Sequence, residues 1–204
     1  CYPADIRGFK TIIWFHGGGL TGGEKDIPTL LTGRGICIVT VNYRLSPRAE
    51  CPAYIEDAAA SVAWVVANIS RYGGDPSQVY VGGHSAGDYL ASMLALDKSY
   101  LAKHGIDADD IKGYYPVSGQ CITHNAVREE RGLPGNIQLI DNYAPLAHAR
   151  KDTAPILLTA GQREIELPGR TSENQYLYDT LRAIGNDKVV FHEISGFDHG
   201  TVLG

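Results

Sequence analysis

The chain has 204 residues, 44% hydrophobic and 20% charged, with a formal net charge of −5. That length suffices for one well-buried core. The acidic balance leaves no basic footprint for nucleic acid, and no apolar run approaches the ~20 residues needed to span a bilayer. The four cysteines, Cys1, Cys37, Cys51 and Cys121, lack metal-ligand spacing, so neither a metal nor a cofactor is implied. They do not settle the compartment. The chain opens at Cys1 with no secretory leader in view, which leaves localisation open.

Six short apolar runs recur along the chain: 11–15, 36–41, 78–81, 111–116, 156–160 and 188–194. Several are nearly continuous in Ile, Val and Leu, as in parallel strands buried on both faces. Helical spacing separates some of them. Asp57–Ile69 carries Val62, Val65, Val66 and Ile69 on one face, Ala86–Leu96 carries Leu90, Met93 and Leu94, and Ser172–Ile184 carries Leu177, Leu181 and Ile184. Strands alternating with such helices predict one α/β domain over residues 1–204, three layers deep, with a mostly parallel sheet of about six strands flanked by helices. Residues 121–143 resist the pattern. They are polar, and Gly132, Pro134 and Gly135 interrupt any long helix. The segment reads either as a short lid over the ligand crevice of an open sheet or as an ordinary surface connection.

The first predicted strand runs into His16-Gly17-Gly18-Gly19, and the third into Gly83-His84-Ser85-Ala86-Gly87. The second motif is a G-x-S-x-G elbow between a strand and a helix. Small flanking residues let the backbone turn sharply enough to hold Ser85 out above the sheet. The helix that follows directs its positive end at the site. Serine needs a base to take its proton, and the base needs a carboxylate to orient it, in the chain order serine, acid, histidine. Of seven histidines, His199 stands in a loop just past the last predicted strand, where this architecture places chemistry. His16 and His84 belong to the motifs, His104 and His148 to polar connections, His124 to the long loop and His192 to the last strand. For the acid, the strand at 156–160 leads to Glu164, the first choice, and Glu166, the reserve. Asp198 adjoins His199 and is badly placed to bend back onto its ring. The peptide N–H groups of Ala86 and of the glycine loop are expected to face a developing oxyanion.

The ordered set resembles α/β-hydrolase carboxylesterases of the hormone-sensitive-lipase type and related small acetyl and feruloyl esterases. It comprises HGGG at 16–19, Asn42-Tyr43-Arg44-Leu45-Ser46-Pro47, Pro52 through Asp57, Gly74-Asp75-Pro76, GHSAG at 83–87 and Ala144-Pro145-Leu146. The resemblance implies the α/β-hydrolase fold, Ser85 as nucleophile, His199 as base, and Gly18, Gly19 and Ala86 as oxyanion donors. It aligns Glu164 with the family's usual aspartate. The implied activity is serine carboxylesterase action on short-chain acyl esters, acetyl-type or feruloyl, including esters carried on carbohydrate. The same residues would also serve an arylformamidase or small peptidase, and receptors on this scaffold have lost the histidine that His199 retains.

Three departures from the resemblance stand out. Asp88 replaces the usual glycine and is expected to point outward, since facing an oxyanion it would oppose catalysis. The acid is glutamate. The chain has only ten residues before its first predicted strand and five after His199. That predicts no large cap domain, a minimal or trimmed core, and apolar surface suited to a homo-oligomer contact. An uncapped crevice suits short acyl groups or esters on bulky polar molecules.

Overall fold

The computed structural model describes residues 1–134 and 136–204. Six strands form one sheet: β1 (Phe9–Phe15), β2 (Cys37–Val41), β3 (Gly74–His84), β4 (Gly113–Val117), β5 (Ile156–Gly161) and β6 (Val189–Ile194). Their order is β2-β1-β3-β4-β5-β6, and every neighbouring pair is parallel. All six predicted runs are strands. β3 is longer than its apolar run because Gly74 pairs with Phe9, with a register shift before Thr11 meets Val79. The helices are α1 (Ala53–Asn68), α2 (Ala86–Leu96), α3 (Lys98–Ala102), α4 (Asn125–Glu130) and α5 (Arg170–Ala183).

Parallel strands need crossovers, and these are right-handed. Every step from β2 across to β6 therefore places its connection on the same face of the sheet. There α1, α2 and α5 bury Val62, Val65, Leu90, Met93, Leu94, Leu177 and Leu181 against Ile13, Val81, Tyr114, Ile156 and Leu158. Ile184, expected on the buried face of the last helix, is 42% exposed beyond the end of α5. Only the β1–β2 step runs the other way. Its connection contributes a single 3₁₀ turn, Thr29–Leu31, and on that face Trp14, Ile38 and Val117 of the strands form a small second core, backed by Ile27 and Leu31 of the connection and by Leu203. Among the described residues the fold is therefore two layers with a thin patch on the second face, rather than the three layers expected.

Residues 121–143 also differ from a polar surface stretch. Cys121, Ile122, Thr123, His124, Ala126, Val127 and Arg128 are all buried. α4 forms within the segment because the His124 ring caps it, Nδ1 accepting from the Ala126 N–H at 3.2 Å. Gly135, one of the three expected helix breakers, lies outside the described residues. Among the described residues no cap domain stands apart from the sheet, and no helix is long and apolar enough to cross a membrane.

Candidate active site

The five strands β1, β3, β4, β5 and β6 are followed directly by His16, Ser85, Ser118, Gln162 and Ser195 respectively, so their carboxyl ends gather the motifs at one end of the sheet. Ser85 sits at φ 57° and ψ −114°. That strained conformation is rarely populated by a residue with a side chain, and it persists where the surroundings over-determine it. The surroundings here are two glycines. A Cβ on Gly87 would stand 2.0 Å from the Phe15 carbonyl oxygen, and one on Gly83 would stand 2.4 Å from the Gly87 carbonyl. Close contact of α2 with β1 therefore sets the elbow. The Ser85 N–H is tied to the Val117 carbonyl at 2.8 Å.

The glycine loop lies beside this turn. A Cβ on Gly17 would meet Ser85 Cβ and the His84 carbonyl oxygen at 3.3 Å. Gly18 and Gly19 take φ +115° and +65°, and Leu20, fully buried, follows at +65°. Tyr43 fixes the start of the loop: its hydroxyl donates to the His16 carbonyl at 2.7 Å, and its ring stacks on His16 at 4.4 Å. Arg44 in turn clamps Asp57 of α1 through two hydrogen bonds of 2.7 and 2.8 Å. The Asn42–Pro47 motif is thus a brace beneath the loop.

His199 Nδ1 donates to Glu166 Oε1 at 2.7 Å. Glu164 is exposed on the turn that follows β5 and does not reach the histidine. The expected pairing of His199 with Glu164 is therefore corrected to Glu166. The turn after Gly161 folds back on itself, with Ile165 N and Glu166 N both donating to the Gln162 carbonyl, and this swings position 166 inward and position 164 out. Glu166 is buried, and its other partners are the Ser118 hydroxyl at 2.8 Å, Gly161 N–H at 3.1 Å and Leu167 N–H at 2.7 Å. Burial opposes its charge, but those donors and His199 outweigh it and hold the carboxyl below the usual glutamate range. Asp198 is occupied by Gly200 and Thr201.

Ser118, which no sequence motif marks, sits at φ 56° just after β4 and is fully buried. Its only signal in sequence is a Ser-Gly pair at a strand's carboxyl end. His84 belongs to the elbow motif, and its ring Nε2 also donates to the His199 carbonyl oxygen at 2.9 Å. Burial and the His199 charge push its pKa down to about 4, so the ring is neutral near pH 7. Because Nδ1 of His199 faces Glu166, Nε2 is its free ring nitrogen. Among the described residues the Ser85 hydroxyl makes no hydrogen bond.

Asp88 is a second correction. It is fully buried, not outward, and accepts from Gly119 N–H at 2.6 Å and from Ser92 at 3.1 Å. Every residue of α2 is buried, so the helix has no outward face to offer it. Burial pushes its carboxyl up to about 7. Among the described residues, no three His, Cys, Asp or Glu side chains are arranged to hold a metal ion.

Residues 2–133, more than half of the chain, match the BD-FAE family. The chain belongs to the BD-FAE family. Esterase LipC of Mycobacterium tuberculosis is 25% identical over 92% of this chain and 50% of its own length. A probable isoprenylcysteine alpha-carbonyl methylesterase of rice, ICMEL1, is 28% identical over 90% and 49%. This BD-FAE chain thus spans about half the length of the curated relatives it matches. Among solved structures, Thermogutta terrifontis esterase 2 superposes with a TM-score of 0.78 at 21% identity, over 98% of this chain and 77% of that one. The shared architecture is the α/β-hydrolase fold. The family match covers β1 through α4 and therefore the glycine loop and the elbow, while Glu166 and His199 of this BD-FAE chain lie beyond it.

Proposed function

We propose that the protein is a serine carboxylesterase that hydrolyses short-chain acyl esters through an acyl-enzyme, with Ser85, His199 and Glu166 as its catalytic residues. The observation that carries the reading is the 2.7 Å hydrogen bond from His199 Nδ1 to a buried carboxylate, made in the loop that also holds the His84 ring next to Ser85. The His199–Glu166 pair and a serine held in a strained elbow both stand at the carboxyl end of the sheet, which supports this reading. Their order along the chain is that of the serine hydrolases of this fold.

In this reading His199 Nε2 takes the Ser85 proton as Oγ attacks the ester carbonyl carbon. The oxygen charge that develops is met by the N–H groups of Ala86, Gly18 and Gly19, whose missing or small side chains allow close approach. Collapse of the tetrahedral intermediate breaks the ester C–O bond, and the departing alkoxide takes the proton back from His199. Water, deprotonated by the same nitrogen, then releases the carboxylic acid and restores Ser85. Glu166, held ionised by its donors, favours the imidazolium at both steps. The esterase relatives support ester hydrolysis, and a fold neighbour solved with propionate and with butyrate supports a small acyl group.

The test is hydrolysis of p-nitrophenyl esters from acetate to decanoate, with labelling by a fluorophosphonate probe alongside. Activity peaking at acetate or butyrate is expected. Both activity and labelling should be lost in Ser85→Ala while its melting temperature is kept. Turnover that survives in Ser85→Ala would sink the proposal. Acetylated and feruloylated sugars then separate the alcohol portions.

A further inference from the structure

Next to Glu166 lies a cleft of about 660 Å³ between α4 and the start of α5, lined by Gln120, Asn125, Arg128, Arg170, Ser172 and Tyr176 among others. It shares two walls with the catalytic carboxylate. Leu167, which also lines it, donates its N–H to Glu166 Oε1, and Gln120 stands two residues beyond the Ser118 that donates to Glu166 Oε2.

Two arginines face this cleft in an unusual state. Arg128 is 2% exposed, and its guanidinium donates to the Ile137 carbonyl while Nε is buried without a partner. Arg170 also buries Nε without a partner, and among the described residues its guanidinium makes neither a hydrogen bond nor an ion pair. Among the described residues, every other arginine either pairs with a carboxylate, as Arg44, Arg131, Arg150, Arg163 and Arg182 do, or is exposed, as Arg7, Arg34, Arg48 and Arg71 are. Glu173 lines the same cleft and is the carboxylate that acts most on Arg170. Its Oε2, however, is engaged by the N–H groups of Cys121 and Ile122, and it forms no ion pair with either arginine among the described residues. Glu173, Asp88 and Glu166 act on Arg170 through space, but none of them hydrogen-bonds its guanidinium, which stays protonated, so its donors are open to an anion entering the cleft. The planar fork of donors matches a carboxylate.

We propose that this cleft is a subsite for a carboxylate group carried by the ester substrate, gripped by Arg170 with the Arg128 charge behind it. The inference rests on the esterase reading above and adds the substrate class: esters that keep a free carboxylate on their acyl or their alcohol portion.

The experiment compares kcat/KM for p-nitrophenyl hydrogen adipate and p-nitrophenyl hexanoate, of similar length with and without the carboxylate. An acetate ester of 4-hydroxybutyrate, read against butyl acetate, asks the same of the alcohol side. On one of the two sides the wild-type protein should favour the charged ester by about tenfold or more. Arg170→Gln should bring that ratio towards one, with Arg170→Lys in between. A wild-type ratio at or below one on both sides, or a ratio that Arg170→Gln leaves unchanged, overturns the subsite. Should Arg170→Gln fail to fold, the wild-type ratio must shrink as salt is raised, and a salt-independent ratio overturns it. If no ester of either kind is hydrolysed, it is the esterase reading that fails. Binding of free adipate to wild type and to Arg170→Lys by NMR titration then decides the subsite: tight binding weakened in the variant upholds it, and absence of binding in wild type overturns it.

Discussion

The His84 ring and the His199 backbone are tied to one another at 2.9 Å, Nε2 of the first donating to the carbonyl oxygen of the second, with the ring centroids 4.7 Å apart. The residue before the elbow serine thus holds the loop that carries the histidine. The tie also fixes the tautomer of His84, whose proton must sit on Nε2.

Removing that tie should act on the rate and not on the fold. In His84→Ala the His199 loop loses its link to the elbow, and displacements of about 1 Å at reacting groups cost on the order of 100-fold. A fall in kcat of about 10- to 100-fold is expected, with KM and melting temperature little changed. Steady-state kinetics on a p-nitrophenyl ester check this, and an undiminished kcat would assign His84 to packing alone.

The two glutamates after β5 should separate cleanly. Glu166→Gln removes the charge that orients and balances His199, and changes of this kind cost about 10⁴-fold in kcat in the serine-protease precedent. A loss of about 10²- to 10⁴-fold is expected. Glu164→Gln, an exposed change, should stay within about twofold of wild type. Equal losses in the two variants would contradict the assignment.

Asp88 gives a dependence of stability on pH. Its folded carboxyl sits at about 7, above the value of about 4 for an unfolded aspartate. Its contribution is therefore complete below pH ~4 and declines as pH rises through the folded value near 7. Arg170 and Glu173 are the charges that act on it across this range. Asp88→Asn keeps an acceptor for the Gly119 N–H and cannot ionise. Its melting temperature should gain on wild type steadily between pH 5 and 8. A difference that stays flat over that range would refute the raised value.

Gly87→Ala tests the elbow's steric origin. The new methyl would sit 2.0 Å from the Phe15 carbonyl oxygen, backbone against backbone, so α2 must move away from β1. A loss of about 3 kcal/mol or more is expected, read from urea unfolding. At Gly22 the nearest atom to a Cβ is 3.9 Å away, so Gly22→Ala should cost less than about 1 kcal/mol. Similar losses at both sites would remove the steric argument.

The residue pattern by itself determined the six strands, the α2 helix to its ends, Ser85 in its elbow, the glycine loop and His199, because each of these is written in contiguous residues. Continuous Ile and Val runs mark buried parallel strands, and tight turns admit only glycine at fixed offsets. Three features were decided by tertiary structure alone. Glu166 rather than Glu164 meets His199 because a turn stabilised at the Gln162 carbonyl sets which side chain faces inward, and two neighbouring glutamates look alike until the chain folds back. Asp88 is buried because α2 is covered on every side, a property of what packs around the helix. The helices lie on one face because strand order, with right-handed crossovers, assigns each connection its side, and strand order is a long-range property that local residue patterns do not encode.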